Sequence, residues 1–324
     1  MTDRSKRTAS IDLLRGIAMI LMALDHVRDF FASKPYEPTD LDHATPALFF
    51  TRWITHYCAP IFVFLAGTAA WLSKSKKSDA ELTRFLVTRG VWLVFLEVTA
   101  NNFFWSFHSP FSFVVLQVLW ALGMSMIVLA AVARLPVKAI AAIGAALVLL
   151  HDTLDHLHPF PTGPAHVAWS MIHESSWDMP AFGTHVALVY PIVPWCGVMM
   201  LGYAFGALFS RRDPADRSRV TLRIGLAITL FFVALRASNL YGDPKPWEHR
   251  EGIGALLSFL DCEKYPPSLC YLAMTLGPAL VLLALFDRSG VGDTNPFARA
   301  VVVYGRVPLF YYLIHVLLIH LVSN

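Results

Sequence analysis

Apolar residues in this chain fall into long unbroken blocks, with little of the alternation that marks half-buried strands or surface helices. Nine blocks approach or exceed the ~20 residues that cross a hydrocarbon core about 30 Å thick. They cover 10–31, 48–73, 86–107, 111–133, 136–152, 187–209, 220–240, 266–286 and 299–322, the fifth being the shortest. Lipid offers no partner to an open strand edge, so each block is expected to be helical. The pattern predicts an all-α integral membrane protein: a polytopic bundle of about nine transmembrane helices, forming one domain over 1–324. Between the blocks, Ser78-Asp79 followed by Glu81 reads as a helix start leading into the third span. The stretch "GIGALLSFL" from Gly252 is too short to span and is expected to lie at the interface.

Charge sets the orientation. The helix ends and connections that fall on one side hold Arg4, Lys6, Arg7, Arg15, Lys74, Lys76, Lys77, Arg84, Arg89, Arg134, Lys138, Arg211, Arg212, Arg217, Arg219, Arg223, Arg288 and Arg299, eighteen of the 26 Lys and Arg. The connection from His151 to His185 holds none. Basic residues stay on the cytoplasmic side, so the N-terminus is expected inside, in a plasma membrane such as the bacterial inner membrane. The 13 histidines run the other way, all in outer segments or outer halves of helices. With 56% hydrophobic and only 15% charged residues, against about a quarter charged in soluble domains, a water-soluble enzyme is excluded. The excess of base is accounted for by topology, so nucleic acid is not implied. Four scattered cysteines lack metal-type spacing and read as packing residues. No phosphate loop or nucleophile elbow is present.

The first block carries the chemistry. Arg15 and His26 are eleven residues apart, which on an α-helix is three turns plus roughly 20°, so both face the same way about 16 Å apart. Asp29 lies one turn beyond His26 and is expected to reach it, while Asp25 points elsewhere, towards Arg28. An ionisable group inside a membrane is costly unless it faces protein or water, and is a functional candidate for that reason. An imidazole steadied by a carboxylate is a common general base.

"SIDLLRGIAMILMALDH" from Ser10 resembles the opening helix of membrane-bound acyltransferases. With "FFTRWITHYCAPIFVFLAGTAAWL" from Phe49, "YPIVPWCGVMMLGYAFG" from Tyr190, "KYPPSLCYLAMTLGPAL" from Lys264 and "GRVPLFYYLIHVLLIH" from Gly305, it resembles the DUF1624 family, related to the heparan-α-glucosaminide N-acetyltransferase catalytic domain. The Arg-x10-His spacing is similar to that of the acyltransferase-3 family. The resemblance implies nine or ten transmembrane helices. The resemblance implies transfer of an acyl group, usually acetyl, from cytoplasmic acetyl-CoA, the acyl donor, to an amine or hydroxyl of a carbohydrate-like acceptor reached from outside. His26 and Arg15 fall on the acyltransferase-3 catalytic His and its Arg. His43, in "DHATP", falls nearest to the catalytic His of the heparan enzyme. Catalytic residues are thus expected among His26, Asp29 and His43. Guanidiniums for the coenzyme phosphates are expected at Arg15, Arg89 and Arg306. Asn101, Asn102, His56 and Tyr311 are candidate donors to the oxyanion.

Other polar residues read more plainly. His151 and Asp155 stand at i,i+4, but without a set zinc spacing no metal is expected. Glu97 and Gln117 read as buried hydrogen-bonding residues or cavity liners. Outer-loop Trp169, Trp177, Tyr241 and Trp247 suit either a sugar or the interfacial belt. A multi-pass transporter, with Arg15, Glu97 and His26 lining a path, is the alternative function, although the paired broken helices of many transporters are not evident. Oligomeric state is open, a homodimer included.

Overall fold

Helix starts follow the side chains that can replace a missing backbone partner. The computed structural model describes residues 9–32, 36–107, 112–210 and 212–324. Arg4, Lys6, Arg7, Arg211 and the first residue of the fourth block lie outside these. The first helix, α1, runs Ala9–Phe31. After α2 (Pro46–Trp53), capped by Thr45, one 3₁₀ turn leads into α3 (Cys58–Lys74). Ser78 and Glu81 form the expected reciprocal cap of α4 (Asp79–Leu96), with Ser78 N–H donating to Glu81 Oε2 at 2.7 Å. A π turn at Glu97–Asn101 joins α4 to α5 (Asn102–Ser106). The next helices are α6 (Val118–Val132), α7 (Val137–Leu150) and the short α8 (Gly163–Ile172). Then come α9 (Ile192–Ser210), α10 (Pro214–Ser238), α11 (Ile253–Leu260) and α12 (Leu269–Ser289). The chain ends with α13 (Val291–Thr294), α14 (Pro296–Arg306) and α15 (Pro308–Ser323).

This is a mostly helical membrane protein. Among the described residues, five stretches are long and apolar enough to cross a bilayer: Pro46–Lys74, Val137–Leu154, Ile192–Ser210, Pro214–Ser238 and Leu269–Ser289. The α14–α15 pair makes a sixth if counted as one. Helices α1 and α4 are of similar length but carry more charge.

Two expectations change. The last block is not one straight span: α14 and α15 meet at 89°. Pro308 has no N–H and its ring collides with the carbonyl four residues back, so the helix breaks there. Nor is the fold purely helical. Phe113–Leu116 (β1), Ser176–Ala181 (β2) and Thr184–Leu188 (β3) form a sheet in the order β1-β3-β2, with β3 parallel to β1 and antiparallel to β2. The start of the fourth and sixth blocks is therefore strand. Val114, Val115 and Val186 suit a pleated surface, and Phe182-Gly183, both at positive φ, make the tight hairpin turn. The long connection after α7 is thus an ordered cap of α8 and hairpin. The stretch expected at the interface is α11.

Packing brings the last helices onto the first. A Cβ on Gly305 would overlap the Asp12 carbonyl, and one on Gly16 would overlap that of Val301. Small residues let α1 and α14 touch backbone to backbone, as in many membrane interfaces. Gly67 and Gly202 do the same for α3 and α9. All four cysteines are free and buried.

Candidate active site

Because α14 and α15 both pack on α1, the face carrying Arg15 and His26 is turned inward at both ends. Near the start of α1, Arg15 donates to the Gly305 carbonyl at 2.9 Å and pairs with Asp12 at 3.1 Å. Arg306, at the end of α14, approaches the same carboxylate at 3.5 Å, and its side chain is 48% exposed. Arg15 and Arg306 thus converge on Asp12. Arg89 does not join them there: it lies exposed on α4, its guanidinium 4.5 Å from the centre of the Phe85 ring.

At the other end of α1, His26 is buried against α15 and α5. Its Nδ1 is 2.7 Å from His315 Nε2, and the two rings stack with centres 4.9 Å apart. His315 Nδ1 is 2.8 Å from the Tyr311 carbonyl, which can only accept. The proton of a neutral His315 therefore sits on Nδ1, and its Nε2 accepts from His26 Nδ1–H. This leaves the lone pair of His26 on Nε2, which makes no hydrogen bond among the described residues. The Trp105 ring meets His26 edge-on at 4.8 Å. Asp29 was expected as the partner of His26, but it is 40% exposed and pairs with Arg28 at 3.0 Å. The turn beyond His26 faces outward, and α15 supplies a second imidazole where the carboxylate was expected.

The carboxylate at the centre is Asp25. It accepts both Arg52 contacts, at 2.9 and 2.8 Å, and the Thr55 hydroxyl at 2.8 Å, and it also pairs with Arg28, as expected. Arg52, from α2, has a side chain only 15% exposed. Two cations on one buried carboxylate balance its desolvation.

Arg52 and His56 form the floor of a cleft of about 810 Å³. Its walls come from residues 37–41, Trp177 of β2, and the connection from Pro244 to Tyr265. Trp177 meets Tyr265 edge-on at 5.8 Å. Of the four outer-loop aromatics it alone lines the cleft. Arg250 ties the two walls by pairing with Asp42 at 2.7 Å. Burial lifts the Asp261 carboxyl to about 6, against the pull of Lys245. His43 is exposed, 2.8 Å from Asp40 on the rim side.

Most of the candidate oxyanion donors are committed elsewhere. Asn101 Nδ2 donates to Glu97 Oε1 at 2.6 Å, and Asn102 is bound to Val115 and the Glu97 carbonyl. Tyr311 stacks on His315. Only His56 opens on the cleft, and its buried Nδ1 has no hydrogen-bond partner among the described residues. Glu97 is fully buried and accepts from Trp120 N–H at 2.9 Å, capping α6, so it is a hydrogen-bonding residue of the scaffold. His151 pairs with Asp152, and Asp155 with His173, which ties the segment after α7 to the end of α8.

Residues 7–238 match the family model described as heparan-alpha-glucosaminide N-acetyltransferase, catalytic. The chain belongs to that family. It is therefore an acetyltransferase-type membrane enzyme. Among curated proteins none matches the chain. His315 and Arg306 lie beyond the matched residues, yet they complete the two ends of the α1 face.

Sequence reasoning passed over Arg52, Lys264 and His315 as site residues. For the two cations a signal was present: the orientation expected from the sequence puts both outside, against the rule that keeps basic residues on the cytoplasmic side.

Proposed function

We propose that this protein moves an acyl group, acetyl in the first instance, from cytoplasmic acyl-CoA to an amine or hydroxyl of a sugar-like acceptor on the far side of a bacterial inner membrane. The observation that carries the reading is the buried His26–His315 pair, which sets one imidazole in a fixed tautomer on the same helix face as Arg15.

The coenzyme's phosphates would lie at the basic end, on Arg15 and the half-exposed Arg306, with the pantetheine arm running up α1. Guanidinium groups favour phosphate by bidentate donation. The acceptor would enter by the cleft, whose floor adjoins His26 through Asp25. Its amine or hydroxyl attacks the thioester carbonyl carbon while His26 Nε2 takes the proton. His315 keeps the lone pair on Nε2 and shares the imidazolium charge. The tetrahedral oxyanion then collapses, the C–S bond breaks, and the imidazolium returns its proton to the departing thiolate. The products are the acylated acceptor and free coenzyme A. His43, exposed and held by Asp40, is assigned no step.

The test is to supply radiolabelled acetyl-CoA and a panel of amino sugars to the purified protein in lipid nanodiscs, with His26→Ala alongside. Label appearing on a sugar with the parent and not with the variant is expected. Transfer undiminished by His26→Ala removes that residue from the mechanism. Sugar uptake into vesicles without acylation makes the protein a transporter instead.

A further inference from the structure

Five cations line the cleft: Arg52, Arg236, Lys245, Arg250 and Lys264. Four are held by carboxylates: Arg52 by Asp25 at 2.8 Å, Arg236 by Asp243 at 3.4 Å, Lys245 by Glu263 at 2.6 Å and Arg250 by Asp42 at 2.7 Å. Lys264 has no carboxylate within ion-pair distance among the described residues. Its ammonium is 4.9 Å from the centre of the Tyr265 ring, on a half-buried side chain. Beside it on the same lining is His56, 4% exposed, with Nδ1 buried and unpartnered among the described residues.

A buried nitrogen without a partner is costly, and a half-buried ammonium with no carboxylate in contact is only partly compensated, here by the field of Asp25 and the Tyr265 hydroxyl. One ligand group relieves both: an anion that accepts from the ammonium and from the imidazole. Acids on the same lining are largely spoken for. Asp40 holds His43, Glu248 faces Arg250 and Glu263 holds Lys245.

We propose that Lys264 and His56 form an anion-binding subsite in the cleft, and that the acceptor carries a phosphate monoester or carboxylate beside the amine or hydroxyl that is acylated. The proposal rests on the acyltransferase reading above and narrows its acceptor to an acidic sugar. A neutral sugar would leave the subsite unfilled and bind less tightly.

The experiment compares three acceptors with acetyl-CoA in phosphatidylcholine nanodiscs: D-glucosamine, D-glucosamine 6-phosphate and muramic acid, which carries a carboxylate. At least one acidic sugar is expected to exceed glucosamine in kcat/KM by about 10- to 100-fold, the range of a charge-assisted hydrogen bond. In Lys264→Met that ratio falls to near one, and in Lys264→Arg it is largely restored. Lys245→Met, which removes a cleft lysine already held by Glu263, keeps the parental ratio. Equal kcat/KM for all three acceptors in the parent overturns the proposal. So does a Lys264→Met variant that loses activity equally on neutral and acidic sugars, because Lys264 then serves the transfer step itself. Nanodiscs containing phosphatidylglycerol test the other source of phosphate. An acidic-sugar preference that survives there supports the acceptor assignment, and one that disappears gives the subsite to a lipid headgroup and overturns it. No transfer to any sugar is a failure of the acyltransferase reading. The subsite is then decided by equilibrium binding of radiolabelled glucosamine 6-phosphate: binding that requires Lys264 supports it, and no binding overturns it.

Discussion

The two ends of α1 treat charge differently. At the loop end Asp25 is buried and ringed by Arg28, Arg52 and Thr55, and His26 is locked between His315 and Trp105. At the basic end two guanidiniums approach one carboxylate, Asp12, and Arg306 is 48% exposed. A site that must fix one lone pair in one direction needs rigid, fully partnered neighbours. A site that must admit and release a charged tail needs cations that can trade partners. On this reading the first end does the chemistry and the second holds the donor, and the contrast can be tested by changing the two ends separately.

The largest effects should come from His26. His26→Ala is expected to lower kcat by about 10²- to 10⁴-fold, the usual contribution of a general base, with little change in KM for acetyl-CoA. Arg306→Gln should do the reverse, raising KM for acetyl-CoA about tenfold, the scale of one charge-assisted hydrogen bond, while kcat holds. Steady-state kinetics on the two variants check this, and a kcat loss from Arg306→Gln equal to that from His26→Ala would erase the distinction.

Stability should show the same contrast at a smaller scale. Asp25→Asn leaves Arg52 and Arg28 without their shared anion in a buried setting, where breaking such a pair costs about 3–5 kcal/mol. Asp12 is itself buried, but Asp12→Asn leaves Arg15 its bond to the Gly305 carbonyl and Arg306 its contact with solvent, so the loss should be smaller, about 1–3 kcal/mol. Thermal unfolding in detergent compares them, and equal losses would mean that both ends are structural. His43→Ala, on the exposed rim, should change kcat/KM by less than about threefold, since a surface pair contributes little.

How much of this could be read beforehand differs by residue. The shared face of Arg15 and His26 followed from the 3.6-residue period alone. So did the helical blocks, because period and length are local properties of the chain. His315 was not legible as the partner of His26, because the two are 289 residues apart and only the Pro308 break swings α15 against α1. Asp29 looked better by spacing, but helical spacing says which residues are neighbours, not which way the neighbours face. Arg52 and Lys264 were visible in a different sense. Of the eight Lys and Arg left out of the inner set, Arg52, Arg236, Lys245, Arg250 and Lys264 all line the cleft. The positive-inside rule describes insertion, so cations retained against it need another reason to be where they are. The sheet was hidden because a short apolar strand and the start of a buried helix have the same composition.

The smallest prediction concerns the cleft wall away from α1. Burial lifts the Asp261 carboxyl from 3.8 to about 6, outweighing the opposing pull of Lys245. The folded state therefore favours the protonated form, and the stability this group contributes is full below the unfolded value near 3.8. It is lost as pH rises through about 6, because the buried carboxylate must then be kept charged. Asp261→Asn keeps the shape and removes the titration. Relative to the parent, its unfolding midpoint should rise between pH 4 and pH 6 and level off above. Asp25, held by two cations and a hydroxyl, belongs to an end of the molecule where charge is matched, whereas Asp261 belongs to a wall where it is not. A parent–variant difference that stays flat across that pH range would mean that the Asp261 carboxyl is already paired in solution, and the cleft wall would then join the partnered end of the comparison.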